Sequence, residues 1–183
     1  MKRAHLILVF LALVVIISGC INSINEKIEE KMEFREFISL DGSFSYSMPK
    51  EPKIKTENLS TVVGELPVTE YSLAHGEFAY MIYYNDYPKD VLDLVENKSE
   101  VLDVYQSVAE TIKGKILSSK DISYGSYPGK EAVIEFPGGT VIFTGRTYLI
   151  DNKLYQLAVT TPIAKKDSDN IKKFFDSFKL TGR

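Results

Sequence analysis

Few residues in this chain have the type and spacing to do chemistry. Ser47 and Lys50 match the Ser-x-x-Lys pattern of penicillin-binding enzymes, which needs a helix to bring both side chains to one face. Pro49 inside the tetrad and the strand alternation before it predict a strand end instead. Gly125 to Lys130 is one residue short of a phosphate loop and has Glu131 where a magnesium-binding Ser or Thr belongs, so a plain turn is expected. Asp167, Ser168, Asp169 and Asn170 open like a calcium loop. Ile171 and Lys172 then occupy the places of the third ligand and the required Gly, and Phe178 that of the bidentate Glu; helix capping accounts for the run better. The chain has one Cys and two His, which removes disulfide scaffolds, Cys-based zinc sites and His-cluster metal sites. His75 is the only His beyond position 5, and its neighbour Gly76 puts it in a predicted hairpin turn, where a solvated imidazole is the default. No metal and no cofactor are expected. An enzyme would have to work with carboxylates such as Glu70, Asp86 or Glu135 and no His.

The remaining candidates are binding groups. Tyr80, Tyr83, Tyr84, Asn85, Asp86 and Tyr87 lie where a predicted strand runs into a loop before a helix, and tyrosines offer large contact area with a polar tip. Alternation buries one of Tyr83 and Tyr84 and exposes the other, so the loop end, Tyr84, Asn85, Asp86 and Tyr87, is the expected binding segment. Tyr124, Tyr127 and Lys130 form a second cluster, better explained by turn packing. Arg146 is expected to pair across strands with Glu131 or Glu135 as a structural ion pair.

The N-terminus gives an address. Lys2 and Arg3 precede twelve apolar residues, Leu6 to Ile17, and then Ser18, Gly19 and Cys20, the pattern of an export signal. Twelve residues rise about 18 Å as a helix, short of a hydrocarbon core of about 30 Å. The run Ile17-Ser18-Gly19-Cys20 resembles the lipobox of prokaryotic lipoproteins, which makes Cys20 the expected lipidation site and the cell membrane, on its extracytoplasmic side, the expected location. Removing the first 19 of 183 residues leaves 164 with a formal charge of −5. That balance disfavours nucleic acid as a partner, because phosphate neutralisation needs clustered Lys and Arg. Residues 1–19 are therefore read as a signal peptide, 20–33 as lipidated Cys and polar tether, and 34–183 as one folded domain. Ile21, Ile24, Ile28 and Met32 are spaced as a weak helical stripe, but a solvated spacer is the expectation.

The domain must position whatever it binds on strands. Phe34 to Leu40, the Asp41-Gly42 turn and the alternating Phe44, Tyr46 and Met48 predict a hairpin. Three further strands are expected at Thr56 to Gly64, Pro67 to Ala74 and Phe78 to Asn85. A helical segment in two pieces follows, one opened by Pro88, the second capped by Asn97 with Glu100 and ended by Gly114. Four strands, Lys115 to Tyr124, Glu131 to Phe136, Thr140 to Ile150 and Lys153 to Thr160, are expected to pair in sequence, with one turn at Tyr127-Pro128-Gly129. A last helix capped near Asp167 or Ser168 carries Ile171, Phe174, Phe175 and Phe178 on one face. Strands, helix, strands, helix make the fold α+β with an antiparallel sheet.

Four segments together resemble the PsbP-like family. They are Asp41-Gly42-Ser43-Phe44-Ser45-Tyr46-Ser47-Met48-Pro49; Tyr127-Pro128-Gly129-Lys130-Glu131-Ala132; Arg146-Thr147-Tyr148 with Leu154-Tyr155-Gln156-Leu157; and Phe175-Asp176-Ser177-Phe178-Lys179-Leu180. Their order and spacing carry the match across residues 34 to 180. The resemblance implies an α-β-α sandwich with a central antiparallel sheet and packing helices, and a non-enzymatic role that binds a protein partner or assists a membrane complex. The lipobox and spacer depart from photosynthetic members, and no family contact or metal ligand carries over to a residue here. A small-molecule or glycan-binding envelope lipoprotein is the alternative; a Tyr-lined cavity of about 300 Å³ or more would mark it.

Overall fold

The structure, a computed structural model, describes residues 32–61, 64–93 and 99–182. Cys20, Asn97 and the Ile21 to Ile28 stripe lie outside the described residues.

Apolar residues that recur every second position build a three-stranded and a seven-stranded sheet. β1 (Arg35–Ile38) and β2 (Phe44–Met48) form the expected hairpin, in register from Arg35 opposite Met48 to Ile38 opposite Ser45. Gly42 at φ +68 makes its turn, a conformation that residues with a Cβ rarely adopt. β3 (Lys53–Thr61), β4 (Gly64–His75) and β5 (Phe78–Asp86) make one meander; β6 (Lys115–Tyr124), β7 (Tyr127–Glu135), β8 (Val141–Ile150) and β9 (Lys153–Pro162) make the second. β5 pairs with β9, which joins the meanders into one antiparallel sheet ordered β3-β4-β5-β9-β8-β7-β6. Between them run α1 (Lys89–Asp93), α2 (Ser99–Leu102) and α3 (Tyr105–Ile112). A short 3₁₀ turn, Ile163–Lys165, leads to α4 (Asp169–Asp176), and β10 (Lys179–Leu180) completes the small sheet beside β2.

The period of two sorts each strand's residues between the sheet's faces. On one face Tyr71, Phe78, Tyr80, Ile82, Tyr84, Tyr148, Tyr155, Leu157 and Val159 pack against β2 and against Ile171, Phe174, Phe175 and Phe178. Phe44 is the hub, fully buried, with Tyr71, Tyr84, Tyr155 and Phe178 rings at 5.4–5.9 Å, distances at which edge contacts are favourable. On the other face Ala132, Ile134, Phe143 and Ala158 receive Val104, Tyr105, Val108, Ala109 and Ile112. Beside them Leu66, Tyr87, Leu149 and Leu154 receive Leu92, Val101 and Leu102. The fold is α+β, with antiparallel sheets.

Three details differ from the sequence reading. The helical segment has three described pieces instead of two, and the residue that turns left-handed after α3 is Lys113 at φ 54; Gly114 is needed because a Cβ there would lie 2.7 Å from the Glu135 carbonyl oxygen. The expected turn at Tyr127-Pro128-Gly129 is strand: β7 starts at Tyr127, and the reversal is at Gly125 and Ser126. Pro128 fits because pairing of β7 with β8 starts only at Gly129, so no ladder bond from its missing N–H is lost. β10, two residues long, has no sequence signal of its own.

Candidate functional site

The segment Tyr84 to Tyr87 does not present tyrosines to solvent. Tyr84, Asn85 and Tyr87 are buried, and only Asp86 is exposed. Both faces of the sheet are covered here, so alternation sends Tyr84 into the Phe44 cluster while Tyr87 joins Leu92, Val101 and Leu102. Burial pushes the Tyr87 hydroxyl up to about 12, against the hydrogen bond it makes with Asn85. The Tyr87 N–H donates to the Asn152 carbonyl at 2.7 Å, and Asn152 Nδ2 donates back to the Tyr87 carbonyl at 3.0 Å. The segment is thereby tied to the β8–β9 turn.

This tie brings together a group that the sequence did not single out. Lys153, at the start of β9, places its ammonium 2.7 Å from Asp41 Oδ2, 3.7 Å from Asp86 Oδ2 and 5.1 Å from the Tyr84 ring centre. Asp41 Oδ1 also accepts from Ser39 Oγ at 2.7 Å and from Ser43 N at 3.1 Å and Oγ at 2.8 Å. Burial by itself would raise the Asp41 carboxyl, but Lys153, Ser39 and Ser43 outweigh it and hold the group well below the usual carboxylate range. Asp41 and Lys153 are 112 residues apart, and no local pattern links them. Next to them is a recess of about 230 Å³ lined by Ser43, Asp151, Asn152, Lys153, Tyr155 and Thr181. It has one Tyr in its wall and is smaller than the volume expected of a small-molecule site. Its chemistry is that of an ion-paired clamp between the β1–β2 turn and the β8–β9 turn.

The other candidates fall as follows. Arg146 Nε donates to Glu131 at 2.6 Å, and Lys120 meets the same carboxylate at 2.8 Å. Burial of Glu131 acts to raise its carboxyl, and the two cations reverse the effect. Arg146 also covers the Phe175 ring at 4.7 Å, a packing role in keeping with a structural pair. Tyr124 packs edge-on to Tyr148 and Phe178, its hydroxyl accepts the Leu180 N–H at 3.1 Å, and Lys130 pairs with Asp103 at 3.4 Å. Ser168 caps α4, accepting the Asn170 N–H at 3.3 Å. Ser47 is in β2, where its N–H donates to Ser177 Oγ at 2.8 Å, and Lys50 is exposed beyond the strand. His75 ends β4, half-buried. Among the described residues no group of three or more His, Cys, Asp or Glu is placed to hold a metal ion, and no helix is long and apolar enough to cross a membrane.

What the surface offers instead is aliphatic. Ile38 is 67% exposed and Leu40 70% exposed, the highest values among the large apolar side chains of the described residues; Leu117 and Ile54 follow at 47% and 43%. Leu40 and Ile54 meet Tyr71, whose hydroxyl accepts the Leu40 N–H at 2.8 Å and whose register partner on β3 is Ile54, while Ile38 pairs with Ser45 on β2. β1 and β3 are edge strands of their sheets, so the patch lies beside unpaired backbone.

This topology defines a PsbP-like fold. The solution structure of cyanobacterial PsbP (CyanoP) from Synechocystis sp. PCC 6803 is similar to it with a TM-score of 0.55 at 10% identity, covering 88% of this chain and 99% of that one. At that identity the likeness is one of fold. A protein of unknown function from Pseudomonas aeruginosa, PA94, aligns over 76% of this chain and 90% of its own at 10% identity, with a TM-score of 0.39 too low to carry an argument. No family model matches the sequence, and no curated protein does.

Proposed function

We propose that the protein is a lipid-anchored, extracytoplasmic PsbP-like module, an α-β-α sandwich held at the membrane through Cys20, that binds a protein partner or assists a membrane complex without catalysis. The observation that carries the reading is the exposure of Ile38 and Ile54 on edge strands and of Leu40 in the turn that follows β1. Apolar side chains gathered on a surface this way mark interaction sites, and an edge strand adds main-chain hydrogen bonds to a partner's extended segment. The lipobox supports the anchor, and the similarity to cyanobacterial PsbP supports the choice of a binding module over a catalyst.

The test is a cross-linking pull-down from native membranes, comparing the intact protein with an Ile38→Ser, Leu40→Ser double variant. Both positions are exposed, so the variant should unfold at the same temperature. One abundant membrane-complex partner captured by the parent and lost by the variant is the expected result. Equal capture by both would remove the patch, and no partner for either would remove the assembly reading.

A further inference from the structure

The chain reaches β1 through a fitted contact. Met32 Sδ accepts the Tyr80 hydroxyl at 3.8 Å, and Phe34 meets the same ring edge-on at 5.8 Å. The Met32 methyl lies 3.3 Å from where a Cβ on Gly76 would stand, in the turn between β4 and β5 where φ is +59. Gly76 thus serves the turn and leaves room for Met32. Behind them Tyr80 is fully buried against Phe174 at 5.3 Å.

We infer that the protein stands on its β4–β5 hairpin: the Met32, Tyr80 and Gly76 contact fixes where the tether leaves the fold, so the His75 to Glu77 end faces a phospholipid surface and the Lys153 end faces away. The inference rests on the lipid anchor at Cys20 proposed above. Twelve residue steps separate Cys20 from Met32 and span at most about 40 Å. β4, with twelve residues, is itself about 40 Å long, so the tether is no longer than the sheet. From Phe78 to Asp86, the partner of Lys153, β5 runs about 26 Å away from the hairpin. A body attached at the hairpin end and unable to enter the bilayer has more orientations open to it with that end nearer the lipid, and the Met32 contact narrows the pivot.

Charge agrees with this orientation. At the hairpin end of the sheet register, Lys50, Lys113, Lys115 and Lys166 are exposed, with Glu51, Glu77 and Asp167 among them. At the far end Asp41 and Asp86 flank Lys153, and Glu65 and Asp151 are exposed there together with Lys89 and Lys179. Lysines suit headgroup phosphates, and the acidic end is the one an anionic surface would repel.

The experiment uses the full lipidated chain in phosphatidylcholine and phosphatidylglycerol vesicles carrying a headgroup-nitroxide lipid. Lipidation leaves no free thiol, so Glu77→Cys and Ser126→Cys each supply a single labelling site, one at each end of the sheet. The label at position 77 should be quenched several-fold more than the label at 126, and Met32→Ala, still lipidated, should narrow that ratio. Equal quenching, or stronger quenching at 126, overturns the orientation. A ratio unmoved by Met32→Ala overturns the pin. Failure of the full chain to float with the vesicles, or an intact mass without lipid, overturns the anchor and the orientation with it, an outcome distinct from floating with equal quenching.

Discussion

Asp41→Asn removes the charge of the clamp together with its acceptor for Lys153. Asn keeps the side-chain oxygen that accepts from Ser39 and Ser43 and loses both the negative charge and the Oδ2 acceptor that face Lys153 at 2.7 Å. A charge-assisted hydrogen bond contributes about 1.5–3 kcal/mol, but the Asp41 side chain is 33% exposed and Lys153 18%, so solvent screening reduces the expected loss to about 1–1.5 kcal/mol at neutral pH. For a chain of this size that is a fall in Tm of about 3–5 °C. The pH dependence is the sharper reading. Asp41 is depressed in the folded state, while an unfolded Asp titrates near about 3.9. Its contribution is therefore complete above that value and is lost as the pH falls below it, because the unfolded chain takes up the proton first. The difference between parent and Asp41→Asn should drop to well under half its neutral value by about pH 3. Urea unfolding followed by circular dichroism at both pH values measures it, and the chain, which has no Trp, offers Tyr fluorescence as a second probe. Lys153→Gln should show a similar loss, and the double variant should fall short of the sum. A difference that is the same at neutral pH and at pH 3, or absent at both, would refute the ion-pair account.

Phe44→Ala removes the ring on which Tyr71, Tyr84, Tyr155 and Phe178 converge and should cost about 3–5 kcal/mol in urea unfolding, among the largest losses for a single site. Gly145→Ala would put a Cβ 2.7 Å from both Phe143 Cε1 and Tyr105 Cε1, displacing the Tyr105 ring, whose hydroxyl accepts from Thr147 Oγ1 at 2.9 Å; a loss of about 1–3 kcal/mol in urea unfolding is expected. Ser177→Ala removes the acceptor of the Ser47 N–H and should cost about 1–2 kcal/mol, with faster amide exchange at Ser47 as the local readout.

Much of the scaffold was legible because its signals are local. The Asp41-Gly42 turn, the alternation of β5, the strands β6, β8 and β9 of the second meander and the Ser168 cap all depend on residues close in sequence and formed where their patterns predicted, whereas β7 runs through its expected turn. The Arg146 to Glu131 pair was legible because adjacent strands in a meander place such residues opposite each other. Cys20 and the acidic balance are likewise properties of the sequence alone.

What faces water was decided by the tertiary structure. Alternation says that Tyr83 and Tyr84 point opposite ways; it does not say that the small sheet covers one face and α1 and α2 part of the other, which is why Tyr84 and Tyr87 are core. The β5–β9 pairing, the clamp of Asp41 to Lys153 and the meeting of Leu40 and Ile54 at Tyr71 join residues far apart in the chain. Such contacts leave no periodic trace, because their energy comes from burial and charge pairing that exist only once the sheets have stacked.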